Sequence, residues 1–221
     1  MDKLEYKKVF KEFYLPKSSP SIIDVPSMGF VMIDGEGDPN GEEFALATTA
    51  LYSFSYAVKM SYKSKEIPEG FYDYTVFPLE GVWDLVDKSK STTDKSNFAY
   101  SIMIRQPVFL TNDLFERYIT ETKKKKPNVY LDRIRYDTIN EGLCCQMLHF
   151  GSYDDEPASF EIMRQFCMDN GYERISFKHR EIYLSDPRKT EVSKLKTVLR
   201  FKVKKNKGIG ARKDGILFGF E

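Results

Sequence analysis

The stretch "GLCCQMLHFGSYDDEPASF", Gly142 to Phe160, decides the fold because its pattern occurs twice in the chain. An apolar run of strand type breaks into an acidic turn that contains proline, and an amphipathic helix begins after the turn. The stretch "MGFVMIDGEGDPNGEEF", Met28 to Phe44, has the same order of features. The recurrence indicates two related modules in one chain.

Each module contains one predicted helix, identified by apolar residues that lie three and four positions apart. The first helix follows a start signal at Asp38 and Pro39, and the second ends at Gly171. The second helix is expected to be capped by Asp154 or Asp155. The apolar stripes comprise Phe44, Ala47, Leu51, Phe54 and Val58 in the first helix, and Phe160, Met163 and Cys167 in the second.

Two strand-like runs follow each helix, rich in β-branched and aromatic residues and bounded by Pro, Asp and Gly. They are "FYDYTVFPLEGVWDLV" and "NFAYSIMIRQPV" in the first module, and "KHREIYLSD" and "LKTVLRFKV" in the second. Each module therefore reads strand-helix-strand-strand, which predicts an α+β fold with an antiparallel sheet. Helices can cover one face of such a sheet and leave the other open, and two adjacent modules form a cleft between them.

The predicted organisation is a single domain with short flanking segments. We expect an N-terminal segment over 1–20, a first module over 21–110, a connector over 111–140, a second module over 141–203 and a basic tail over 204–221. Within the connector, Asn112 can cap a helix that ends before Pro127, and "DRIRYDTI" is a candidate strand.

Charge and cysteine content exclude several classes of protein. The chain has 34 Lys and Arg against 33 Asp and Glu, which argues against direct binding of nucleic acid. We expect no metal or other cofactor, because the two histidines and three cysteines do not form a metal-ligand pattern. The odd cysteine count and the lack of an apolar leader or membrane span favour a cytoplasmic protein without a membrane partner.

The candidate catalytic residues lie in "HREIYLSDPRK", His179 to Lys189. Alternation along a strand gives Glu181 and Tyr183 the same face. Ile182 suits the helix-covered face, so the acid and the phenol are expected on the opposite, open face. Either Glu181 forms an ion pair on a solvated sheet surface, or it is the acidic centre of a site for flat or cationic organic molecules.

Further candidate ligand-binding residues are aromatic or polar side chains near the same cleft. Trp83, the single tryptophan, is equally suited to the core and to the wall of a pocket. The full set comprises Trp83, Tyr72, Tyr74, Glu80, Tyr52, Tyr56, His149 and Tyr153.

The motifs resemble those of the GyrI-like small-molecule-binding proteins. The resemblance rests on "EGLCCQMLHFGSYDDEPASF", on "HREIYLSDPRKTEVSKLKTVLRFKV" and on "PLEGVWDL" in the first module, and extends from about Ile23 to Val203. It implies two modules about a pseudo-twofold axis, as in the effector-binding domains of multidrug-responsive regulators. It also implies an acid in an aromatic cleft, which by motif falls on Glu181 with Tyr183 beside it.

The resemblance leaves three functional hypotheses. Some similar proteins are hydrolases that open the cyclopropane ring of DNA-alkylating natural products, and this detoxifying activity is the favoured expectation. The alternatives are sequestration or sensing of lipophilic aromatic cations without chemistry, and inhibition of a partner protein. About twenty residues precede the first module, too few for a DNA-binding domain, so a stand-alone member is expected. The sequence does not indicate the oligomeric state.

Overall fold

The computed structural model describes residues 3–206, which form one nine-stranded antiparallel sheet and five helices. The strands are β1 Ser21–Val25, β2 Met28–Glu36, β3 Leu79–Leu85, β4 Phe98–Arg105, β5 Arg135–Ile139, β6 Gly142–Phe150, β7 Tyr172–Arg174, β8 His179–Tyr183 and β9 Lys196–Lys205. The helices are α1 Tyr6–Val9, α2 Lys11–Tyr14, α3 Glu42–Lys59, α4 Asn112–Lys125 and α5 Glu156–Asp169. The α+β prediction is confirmed.

The strand order shows how the two modules meet. The sheet runs β1-β6-β9-β8-β3-β4-β2-β5, with β7 paired to one end of β9. The first module is β2-α3-β3-β4 and the second is β6-α5-β8-β9, so the predicted strand-helix-strand-strand pattern is present in both. The modules join where β3 pairs with β8, and the order on either side is what a twofold axis between these two strands generates.

The two module helices, α3 and α5, lie on the same face of the sheet. α3 packs mainly on β2 and β4, and α5 packs mainly on β6 and β7. Their predicted apolar stripes are largely buried, with Leu51, Phe54, Met163 and Cys167 almost fully enclosed. The central strands β3 and β8 therefore lie beneath the gap between the helices.

The helix ends differ from the sequence expectation in detail. α3 starts after Gly41, because the Asp38 carboxylate accepts a hydrogen bond from the Asn40 backbone and holds a turn before the helix. α4 starts at Asn112 with Thr111 as its cap. α5 ends at Asp169, and Gly171 follows with a positive φ of 74°, as its role as a stop signal predicts.

The opposite face of the sheet is covered by the N-terminal segment and carries a buried ionic network. Arg180 lies 2.6 Å from a Glu80 carboxylate oxygen, and the Tyr14 hydroxyl donates to the other oxygen over 3.0 Å. Glu141 lies 2.9 Å from both Arg180 and Arg200. Burial alone would raise the pKa of Glu141, but the two arginines lower it below its ordinary value. The negative charges of Glu80 and Glu141 thus balance the positive charges of Arg180 and Arg200 in this network.

None of the helices between Lys3 and Asn206 has the length and apolar character that crossing a membrane requires. The same part of the chain contains no cluster of His, Cys, Asp and Glu side chains suited to hold a metal ion. Of the tail expected over 204–221, residues from 207 onward lie outside the described residues.

Candidate functional site

Glu181 lies at the centre of the sheet, on the face that carries α3 and α5. It pairs with Gly81 on β3 and with Leu199 on β9, and Leu199 is buried in the cluster beneath α5. The prediction that Glu181 and Tyr183 share a face is confirmed, but the assignment of that face as the one without helices is wrong. The acid fits there because the helices leave the middle of their own face uncovered.

Hydrogen bonds fix the Glu181 carboxylate on both oxygens. The Tyr183 hydroxyl donates to Oε2 over 2.8 Å, and His179 Nε2 lies 3.0 Å from Oε1, where it donates when that nitrogen carries the proton. Trp83 Nε1 in turn donates to the Tyr183 hydroxyl over 2.8 Å. The Glu181 side chain is only 12% exposed, so Glu181 does not form an ion pair on a solvated sheet surface. Trp83, Tyr183 and Glu181 form a directed chain of hydrogen bonds across the joint between the modules.

The position of the Trp83 ring depends on Gly81. A Cβ atom at Gly81 would lie 2.7 Å from Trp83 Nε1 and 3.3 Å from the Tyr183 hydroxyl, closer than side chains tolerate. The ring also stacks on Phe44 of α3, with centroids 6.0 Å apart. Sequence reasoning missed both Gly81 and Phe44 as parts of the site, although the lone glycine inside "PLEGVWDL" signals a close approach within a strand.

Glu156 is a second acid at the site, which sequence reasoning also missed. It is the first residue of α5, only 5% exposed, and its carboxyl group lies close enough to Glu181 for the two acids to influence one another. Within residues 3–206, its Oε1 atom is buried and meets no N–H or O–H donor. The signal available in the sequence was "DDEP", an acid just before the proline that opens the second helix.

Burial and the neighbouring Glu181 charge raise the pKa of Glu156 to about 10. The helix N-terminus acts in the opposite sense, but at a buried position it contributes at most about 2 kcal/mol, roughly one and a half pKa units, which is less than the rise caused by burial and Glu181. The raised pKa favours the neutral Glu156 carboxyl group near pH 7, and a neutral carboxyl group can donate a hydrogen bond to Glu181. With Glu156 neutral, the two adjacent acids carry at most one negative charge.

Phenols complete the polar lining. Burial, followed by the Glu181 charge, raises the pKa of Tyr183 well above its ordinary value. Burial, followed by the neighbouring acids Glu156 and Glu181, raises the pKa of Tyr153 to about 12. The two rings meet edge to face with centroids 5.8 Å apart. Both hydroxyls thus remain protonated and able to donate near neutral pH.

The other predicted helix tyrosines lie along the rim of the gap. The Tyr52 hydroxyl lies beside the Leu79 backbone N–H and near the Asp186 turn. Tyr56, one helical turn further, has its ring centroid 6.4 Å from that of Tyr52 and is 51% exposed. Tyr52 can therefore contact a ligand above β3, whereas Tyr56 lies towards solvent.

Four of the predicted ligand-binding residues lie away from the cleft: Glu80, Tyr72, Tyr74 and His149. Glu80 points to the opposite face, in the ionic network with Arg180, because alternation along β3 separates it from Gly81 and Trp83. Tyr72 and Tyr74 precede β3, which begins only at Leu79, and pack with Phe109.

His149 has both ring nitrogens occupied, by Ser159 Oγ and by the Ser152 carbonyl oxygen, each at 2.9 Å. It is 5% exposed and supports the start of α5. The expectation that it lines the cleft is therefore wrong.

An open groove of about 420 Å³ lies elsewhere, beside β1. It is lined by Glu12, Pro16, Lys17, Ser19, Pro20, Ser21, Ile22, Ile23 and Gln146. It has no aromatic ring, whereas the gap above Glu181 combines aromatic rings, phenols and two acids. The chemistry therefore favours the gap, which we call the cleft: Phe44, Tyr52, Trp83, Tyr153, Glu156, Glu181 and Tyr183.

Comparison with known proteins agrees with this geometry. The GyrI-like small molecule binding domain family matches residues 18–204. The chain is 40% identical to an uncharacterized conserved protein from Listeria innocua, with a TM-score of 0.86, and the alignment covers 91% of this chain and 100% of that one. A hydrolase from Listeria innocua is 38% identical, with a TM-score of 0.84 and the same coverage.

A more distant structure shares the fold alone. The C-terminal domain of EcmrR is 14% identical, with a TM-score of 0.53, over 85% of this chain and 98% of that domain. No curated protein matches the chain.

Proposed function

We propose that this chain, which belongs to the family of GyrI-like small molecule binding domains, binds bulky aromatic molecules in the cleft and opens strained cyclopropane rings by hydrolysis. The observation that carries this proposal is the enclosed Glu181 carboxylate, held by Tyr183 and Trp83 between two helices. Structures with about 38% identity that are named as hydrolases support a hydrolytic reaction in general.

In the proposed reaction, Glu181 accepts a proton from a water molecule whose oxygen bonds to a carbon of the cyclopropane ring. The ring carbon–carbon bond breaks, and its electron pair passes into the conjugated carbonyl group, whose oxygen becomes negative. Tyr153 donates a hydrogen bond to that oxygen, or Tyr183 does so after exchanging its bond to Glu181 for one to the substrate. The oxygen then takes up the proton that Glu181 accepted from the water, which restores the carboxylate. This combines general-base catalysis with electrostatic stabilisation.

The walls of the cleft fit a flat ligand. Phe44 and Trp83 form an aromatic wall from the first module, and Tyr153 and Tyr183 supply rings from the second. Because ring strain supplies driving force, a carboxylate that only orients and deprotonates one water molecule is a sufficient catalyst.

The test is incubation with a cyclopropane-bearing DNA alkylator in H₂¹⁸O, followed by mass spectrometry of the ring-opened adduct. We expect Glu181→Gln to lower the rate about 10²–10⁴-fold, the range for loss of a general base. Glu161→Gln is the matched control, because this exposed acid of α5 pairs, within residues 3–206, with Arg164 alone, over 2.5 Å. A full rate in Glu181→Gln sinks the assignment of Glu181 as the base.

Binding without chemistry is the second candidate, favoured by the single negative charge that Glu156 and Glu181 share. A carboxylate beside aromatic faces is suited to hold an organic cation. In that case a fluorescent dye cation binds the wild-type protein, Glu181→Gln weakens its binding, and no ring-opened product forms from any cyclopropane compound tried.

A further inference from the structure

Glu156 has no role in the proposed reaction, yet its carboxyl group is buried beside Glu181 with one oxygen that meets no hydrogen-bond donor among residues 3–206. Glu156 Oε1 is buried and has no donor within the described part of the chain, and the group beside it is another carboxylate. Two ionised carboxylates can only accept, so one proton between them is what satisfies both. Glu181 is the partly exposed member of the pair, with 12% of its side chain exposed, and Glu156 lies behind it.

We propose that Glu156 is a second specificity-determining carboxyl group of the cleft: it donates its proton to Glu181 in the empty cleft and releases it when a planar aromatic cation lies against Glu181. This inference rests on the cleft assigned under the proposed function, and it adds the charge of the ligand that the site prefers.

The groups around Glu156 leave the ligand as the source of positive charge. The charged and titratable groups beside Glu156 are acids and phenols: Glu181 and Tyr183 on β8, and Tyr153 and Asp154 in the turn before α5. His179 on β8 is a base that contacts the pair on the other side, where its Nε2 lies 3.0 Å from Glu181 Oε1. The variant Glu156→Gln therefore separates a proton released by Glu156 from one released elsewhere in the site. Asp154 is exposed and lies 3.6 Å from Lys95, so that its charge is already countered. Behind the helix start, His149 is occupied by two serines.

The sign of the effect follows from electrostatics. In the empty cleft, a second negative charge on Glu156 is opposed by burial and by Glu181. A cation against Glu181 removes part of that opposition and lowers the pKa of Glu156 in the complex. Between this lower value and the free value of about 10, binding releases protons and affinity rises with pH. A neutral ligand of the same shape has no such effect.

A matched pair of dyes tests this on the full chain. 10-Methylacridinium is permanently charged, and acridine presents the same ring system uncharged at pH 8. Calorimetric titration in phosphate and in Tris, whose ionisation heats differ, counts the protons released on binding. We expect wild type and Glu161→Gln to release a fraction of a proton with the cation and none with acridine. Glu156→Gln should bind the cation without release.

The pH dependence gives a second measure. From pH 7 to 8.5, affinity of the wild type for 10-methylacridinium should rise, by at most about tenfold per pH unit for one proton. Affinity of Glu156→Gln should stay constant and match the wild type near pH 7. Equal proton release in wild type and Glu156→Gln overturns the inference, and so does a large loss of cation affinity at pH 7 in the variant, since Glu156 would then already be charged.

Infrared spectroscopy tests the inference on wild-type protein even if the variant does not fold. The carbonyl band of a protonated carboxyl group should be present at pH 7.5 and should weaken when the cation is added, but not when acridine is added. Lack of the band overturns the inference. If neither dye binds the wild type, the assignment of the cleft as a ligand site is refuted. If protons are released on binding but no ring-opened product forms, only the hydrolytic proposal is refuted.

Discussion

Replacement of Glu80 by glutamine should destabilise the protein without altering the cleft. Glu80 and Arg180 are 2.6 Å apart, and both side chains are 2% exposed. Glutamine keeps the shape and one oxygen acceptor but removes the charge. The buried network then contains Arg180 and Arg200 with the single acid Glu141.

The expected magnitude follows from that arrangement. Loss of one partner of a buried pair costs about 3–5 kcal/mol, because the remaining charge lacks compensation. Arg180 retains Glu141 at 2.9 Å, so the lower end, about 3 kcal/mol, applies. For a chain of this length, about 1 kcal/mol shifts the melting temperature by about 2–4 °C, which predicts a fall of about 6–12 °C.

Urea unfolding and thermal melts at pH 7 measure the change, with Glu161→Gln as the exposed control that should unfold like the wild type. Salt screens exposed pairs far more than buried ones, so the loss in Glu80→Gln should persist at high ionic strength. Ligand affinity should remain that of the wild type below the melting temperature. A loss smaller than about 1 kcal/mol, typical of surface pairs, would refute the view that Glu80 is a buried structural charge.

Two further predictions concern the cleft and acid stability. Gly81→Ala should lower dye affinity at least about tenfold with a small loss of stability, because the added methyl group displaces the Trp83 ring; unchanged affinity would contradict the close approach of 2.7 Å. The pKa of Glu141 is lowered by two arginines, so its contribution to stability is complete above its ordinary value of 4.5 and disappears as the pH falls through the lower value of the folded state. Melting temperatures from pH 6 to 3 should fall less steeply in Glu141→Gln than in the wild type.

The sequence was sufficient for the elements that depend on local pattern. The stripe of Leu51, Phe54 and Val58 predicted α3, and the recurrence of that pattern predicted the second module. Alternation in "EIYL" correctly placed Glu181 and Tyr183 on a common face. These features follow from periodicities of 3.6 and 2, which the chain carries within short windows.

The choice of face could not be made from local pattern. A polar residue on a strand was expected to avoid the helices, but α3 and α5 pack over the outer strands of their modules and leave β3 and β8 between them. That gap is a property of the assembled sheet. The same reason explains why Glu156, 25 positions before Glu181 in the chain, was missed: the two acids meet only when α5 lies across the second module.

The two faces of β8 suggest why a buried ionic network and a ligand cleft occur together. Arg180 and Glu181 are neighbours in the chain and point to opposite faces, so the pairs that Arg180 makes with Glu80 and Glu141 also fix the backbone that carries Glu181. A carboxylate that must meet a ligand in one orientation gains from a strand that cannot shift. The network joins β3, β8 and β9, the strands on which the cleft rests. The backbone pairing of β3 with β8 remains in Glu80→Gln, so loss of this one ion pair lowers the stability of the strands and leaves the orientation of Glu181 unchanged.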